Sequence, residues 1–131
     1  MLSDYETLIV EFKNEITIEE RHMINRGLYC DGYAWICTDL TTAERRCILA
    51  EEIGHHKTSS GNILDLTSIS NSKQEAAARR WAYRKLLPKH IVIAVVKDSS
   101  SIAEAAENLG VSEDFLIDAM IYYNTGGKND L

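Results

Sequence analysis

Apolar and polar residues alternate in short, distinct blocks along the chain. Over Asp4–Lys13 the apolar residues fit one face of an amphipathic helix, although the run Leu8-Ile9-Val10 also suits a strand. Glu15–Glu20 contains Ile16, Thr17 and Ile18 and predicts a short strand. The strongest β pattern is Gly27–Thr38. There Leu28-Tyr29-Cys30 and Tyr33–Cys37 flank Asp31-Gly32, the dipeptide favoured in two-residue type I′ hairpin turns. A long helix follows. Thr41 precedes Glu44 at capping-box spacing, and the helical pattern runs to about Lys57. Thr58–Asn71 holds most of the Ser, Thr, Asn and Gly and reads as a loop, long enough to be a candidate functional loop. Ser72-Lys73-Gln74-Glu75 is a second capping box, opening a helix that ends before Pro88. The β-branched block Ile91–Val96 suits either a strand or a buried helix. Ser101–Leu109 and Ser112–Tyr123 form a helical pair joined at Gly110, and the tail Gly126–Leu131 is polar and expected to fray. These elements predict a small α+β domain: a core over residues 1–98, with a C-terminal helical subdomain over residues 99–131 packed on it.

Composition narrows the function classes. With 131 residues, 45% of them apolar and 26% charged, the chain is long enough for one globular domain with a real core. A net charge of −6 gives no general attraction for nucleic acid or anionic lipid. Apolar runs such as Ile91–Val96 are too short to span a bilayer, and no signal peptide opens the chain, so a cytoplasmic protein is expected. Cys30, Cys37 and Cys47 are odd in number and lack zinc-knuckle spacing, so they read as small buried hydrophobes. The helical pair Ser101–Tyr123 is shaped like a helix-turn-helix. It carries Glu104, Glu107, Glu113, Asp114 and Asp118 and no Lys or Arg, which argues against reading DNA and for packing on the core or docking a protein. Arg79, Arg80, Arg84, Lys85 and Lys89 make a basic stretch that reads as a solvated face, pairing with the acidic helices.

Candidate chemistry lies on the helix over Thr42–Lys57. Glu51 and His55 are four residues apart and project from one face, so together they can grip one metal ion. Glu52, one step round the helix, falls where a general base stands in an HExxH zinc helix, and Glu51 replaces the first histidine. Cys47, Ala50 and Gly54 form a small-residue stripe, read as opposite to this face and suited to close helix packing. Five such residues also occur on ordinary solvated helices. Glu75 is a possible third ligand, since catalytic zinc sites hold three protein ligands, but on spacing alone it reads rather as the capping residue paired with Ser72. His56 reads as exposed, with a supporting role at the site as the other option, and His22 and His90 stand in unremarkable contexts.

The pattern is wider than the metal helix. Gly27–Gly32, Thr41–His56, Gly61-Asn62-Ile63-Leu64-Asp65, Lys73–Pro88 and Leu109–Glu113 together resemble the ImmA/IrrE metallopeptidases. The nearest likeness is to the short branch carried by prophages and mobile elements. This resemblance implies a small zincin-like metallo-endopeptidase. By position it makes Glu51, His55 and Glu75 the metal ligands and Glu52 the general base, and so favours the ligand role of Glu75. It also implies a protein substrate, a neighbouring helix-turn-helix transcriptional repressor that is cleaved or inactivated. Glutamate at position 51 departs from the commoner histidine. A site with two carboxylates and one histidine is harder and richer in oxygen, so manganese or iron stands beside zinc as a candidate metal. The same departure leaves a second reading open, a weak or inactive metal-binding module that regulates a repressor by docking.

Overall fold

The computed structural model describes residues 1–58 and 68–126 and, of residues 68–71, the backbone only. Helix α1 (Asp4–Phe12) settles the helix-or-strand ambiguity at the start of the chain. Ser3 caps it, accepting from the Glu6 N–H, while Glu6 accepts from the Ser3 N–H, so two of the free donors at this end are satisfied. Three strands follow: β1 (Thr17–Arg21), β2 (Gly27–Cys30) and β3 (Tyr33–Cys37). The β2–β3 hairpin turns on Asp31 and Gly32, whose φ angles of 46° and 87° fit the expected type I′ geometry. β3 lies in the centre of the sheet, antiparallel to β2 and parallel to β1, with Thr17 beside Tyr33 and Arg21 beside Cys37.

Helix α2 (Thr42–Thr58) starts at the expected capping box, Thr41 and Glu44 exchanging backbone-to-side-chain bonds of 2.9 and 3.1 Å. Helix α3 (Ser68–Leu86) corrects the expected boundary, for it begins at Ser68 rather than after Ser72. Most of the expected loop, residues 59–67, lies outside the described residues. Ser68, Ser70 and Asn71 are weak helix formers, yet extending a helix already anchored by tertiary packing costs little per residue. Ser72 and Glu75 therefore lie inside a helix and not at its mouth. Helix α4 (Lys89–Asp98) resolves Ile91–Val96 as helix, but not a buried one: Val92 is buried, while Ile91 and Ile93 stay 40% and 44% exposed. Helices α5 (Ile102–Leu109) and α6 (Glu113–Asn124) are capped by Ser101 and Ser112 as their sequences predict. Gly110, at φ 71°, closes α5 in the left-handed conformation that glycine adopts most readily.

One apolar core joins these layers. Tyr5, Leu8 and Phe12 of α1 meet Ile36 of β3, Leu49 and Ile53 of α2, and Leu86 of α3, and the same cluster takes in Ala106, Phe115 and Leu116. Arg46 fastens α2 to the end of α5 by donating to the carbonyls of Leu109 and Gly110 at 2.9 and 3.0 Å. Cys37 and Cys47 are buried and Cys30 half-buried, all as free thiols. Among the described residues no helix is long and apolar enough to cross a membrane.

Candidate active site

Close packing of α2 on α3 assembles the site. A Cβ built on Gly54 would stand 2.4 Å from the carbonyl oxygen of Ala78, so only glycine lets the two backbones approach this closely. Gly54 of the small-residue stripe is thus an α3 contact, in keeping with the close packing its composition predicts, but it does not lie opposite the Glu51–His55 face. At ~100° per residue Gly54 is only about 60° around the helix from Glu51. Packing through Gly54 therefore carries α3, and Glu75 with it, to the edge of the metal-ligand face.

His55 and Glu75 meet there, Nε2 of the imidazole 3.0 Å from Oε1 of the carboxylate. That hydrogen bond holds the Glu75 carboxyl below its ordinary pKa. Burial opposes a charged His55. The bond to Glu75 and the neighbouring Glu52 and Glu51 outweigh burial, and the imidazole pKa is raised. The first glutamate, Glu51, is pushed up by burial, with Arg79 pulling it down and Glu75 pushing it further up. Glu52 is buried to 8% exposure. Burial is the main cause that moves its pKa to about 7; His55 resists and Glu75 and Glu51 add to the rise. The first residue of β2 covers this carboxylate: a Cβ on Gly27 would lie 2.8 Å from Glu52 Oε2 and 2.4 Å from Ile48 Cγ2.

A cleft of about 730 Å³ opens over these groups. Glu51, Glu52, Glu75, Arg79, Tyr83 and Tyr122 line it, whereas His55 does not. The His55 ring lies behind, parallel to the ring of Tyr29 within 7° and with centroids 6.4 Å apart. Tyr29 was not singled out by sequence reasoning, although it sits in the resembling stretch Gly27–Gly32. Its hydroxyl stands 2.6 Å from His56 Nδ1 and accepts from the Gly32 N–H at 3.0 Å. His56 is thereby corrected from an exposed histidine to a half-buried anchor for the ring behind His55, also 3.8 Å from Glu15. Gly27, Tyr29, Arg79 and Tyr83 also stand at the site; each lies within a stretch that carries the family resemblance, but none was singled out there for a role in the site. His22 pairs with exposed Asp39, and His90 is exposed on α4.

The basic stretch also divides. Lys85 pairs with Glu11 and Arg84 donates to the Tyr122 hydroxyl at 2.8 Å, in keeping with a face paired to other helices. Arg79 and Arg80 instead line the cleft, Arg79 3.8 Å from Glu75.

Of the expected ligands, the fold joins His55 to Glu75, and among the described residues no three acidic, histidine or cysteine side chains are grouped so that they could hold a metal ion. The donor chemistry nevertheless fits a divalent cation. Two carboxylates, Glu51 and Glu52, are penalised by burial and by their acidic neighbours, and a divalent cation held by Glu51, His55 and Glu75 would relieve that penalty. Two closely packed helices beside a small mixed sheet, with a buried glutamate next to a histidine–carboxylate pair, are consistent with a small zincin-like domain. The family model of the IrrE N-terminal-like domain, a peptidase family, matches residues 34–119, and the chain belongs to that family. Membership implies a metal cofactor, usually zinc. No curated protein and no solved structure gives a significant match.

Proposed function

We propose that this protein is a metal-dependent endopeptidase in which Glu51, His55 and Glu75 hold the cation and Glu52 is the general base. The observation that carries the reading is the 3.0 Å contact between His55 Nε2 and Glu75 Oε1, which brings together ligand types separated by twenty residues of sequence. When bound, the cation supplies Lewis acidity toward a peptide carbonyl. Glu52 supplies the proton traffic: its carboxylate takes a proton from the attacking water and returns one to the leaving amine. In the metal-free protein burial raises this carboxyl to about 7, so the site holds it where it changes protonation state near neutral pH. The Tyr29 ring behind His55 holds the imidazole in place, a role that neighbouring groups commonly play for metal-binding histidines.

The resemblance set out above names the substrate class, a helix-turn-helix repressor of the prophage or mobile element that carries the gene, met in the cytoplasm. Purified protein loaded with zinc, manganese or iron is incubated with the repressor encoded beside it, and cleavage is followed by mass spectrometry. Cleavage that is lost in Glu52→Gln and in Glu75→Ala supports the reading. Undiminished cleavage by Glu52→Gln rules out the proposed base, and derepression without cleavage favours regulation by docking.

A further inference from the structure

Beside the cleft runs a second, apolar depression. Helices α4 and α6 each pack on α5, and between them lies a groove of about 790 Å³ walled by Ile93 and Val96 on one side and Met120 and Ile121 on the other. Ile93 is 44% exposed and Ile121 56% exposed, a large apolar surface left open to solvent. Along α4 the groove residues Lys89, Ile93, Val96 and Lys97 repeat at helical spacing, so the apolar stripe is bracketed by lysines about 12 Å apart. The chain carries a net charge of −6, yet among the described residues lining the groove none is Asp or Glu. The groove adjoins the cleft, for Ile121 lines both.

We propose that this groove is a docking site for the protein substrate: it receives an apolar segment flanked by carboxylates, which pair with Lys89 and Lys97, while the adjoining stretch enters the cleft over Glu52. Apolar contact gives the segment its affinity, and the two lysines select its charge. That the occupant is the substrate rests on the peptidase reading above; the chemistry of the occupant does not.

The probes are two short fluorescein-labelled amphipathic peptides, leucine-faced, one with glutamates at both ends and one with lysines. Binding is followed by fluorescence anisotropy to the full chain carrying Glu52→Gln, in chelator, so that absence of peptidase activity leaves the outcome untouched. The glutamate peptide is expected to bind about tenfold tighter than the lysine peptide, the scale of two exposed ion pairs set against two repulsions. The double variant Lys89→Glu/Lys97→Glu inverts this preference, and Ile93→Asp weakens both peptides about tenfold with the thermal midpoint unchanged. In the otherwise unaltered enzyme, Ile93→Asp raises KM for the repressor at constant kcat. Equal affinity for the two peptides, binding indifferent to these substitutions, or an unchanged KM overturns the proposal. So does a concentration-dependent dimer that Ile93→Asp dissolves, since a second copy of the chain then fills the groove.

Discussion

Replacing Glu52 by glutamine is expected to stabilise the metal-free protein at neutral pH while removing its base. The carboxyl is only 8% exposed, and burial lifts its pKa from 4.5 to about 7. In the unfolded chain it returns to its ordinary value. Between these two pKa values the folded state binds more protons than the unfolded state, so stability falls as pH rises. The contribution is fully present below pH ~4.5 and is lost as pH passes ~7. A shift of this size corresponds to about 3 kcal/mol. Glutamine keeps the shape and the neutral state but does not titrate. The variant and the parent are thus expected to be close in stability at acid pH and to separate by about 3 kcal/mol above pH ~7.5, roughly 10 °C in Tm for a domain of this size. Circular-dichroism melts in chelator across this pH range measure the gap. A gap independent of pH, or a variant less stable than the parent in alkaline buffer, refutes the reasoning. Saturating zinc is expected to narrow the gap, because a cation stabilises the ionised parent and has less to offer the amide.

Gly54→Ala forces a methyl against the Ala78 carbonyl and is expected to cost about 2–3 kcal/mol in urea denaturation, with metal affinity falling as Glu75 is pushed from His55. Gly54→Ala with unchanged stability contradicts the close approach of α2 and α3. Tyr29→Phe keeps the ring behind His55 but removes the hydroxyl bonded to His56 and Gly32, for an expected loss of about 1–2 kcal/mol and little change in zinc affinity. Tyr29→Ala is expected to weaken zinc binding about tenfold by competition titration, because the imidazole loses its support; equal affinities in the two variants exclude that role. Glu51→His is expected to raise zinc affinity and hydrolysis relative to manganese, measured by elemental analysis and rate; a variant that gains neither shows that the oxygen-rich ligand set does not weaken zinc chemistry.

The sequence by itself determined the features that depend on nearest neighbours. Asp31-Gly32 specified a type I′ hairpin because both residues tolerate positive φ, and Thr41, Ser101 and Ser112 marked helix starts because a hydroxyl there satisfies a free backbone N–H. The i, i+4 spacing placed Glu51 and His55 on one helix face before any fold was known. Tertiary structure decided the rest. The order β1-β3-β2 follows from pairing between distant strands, which no local pattern encodes. Ser72 and Glu75 had a capping box's local spacing, but helix α3 extends back to Ser68. Ile91–Val96 suited a strand or a buried helix equally and forms a helix with isoleucines left in solvent. Most consequentially, Gly54 looked like a packing residue remote from the chemistry, yet its missing side chain lets α3 approach and sets Glu75 against His55. Spacing along one helix supplies two ligands on a face; only the contact between two helix backbones brings a third carboxylate to them.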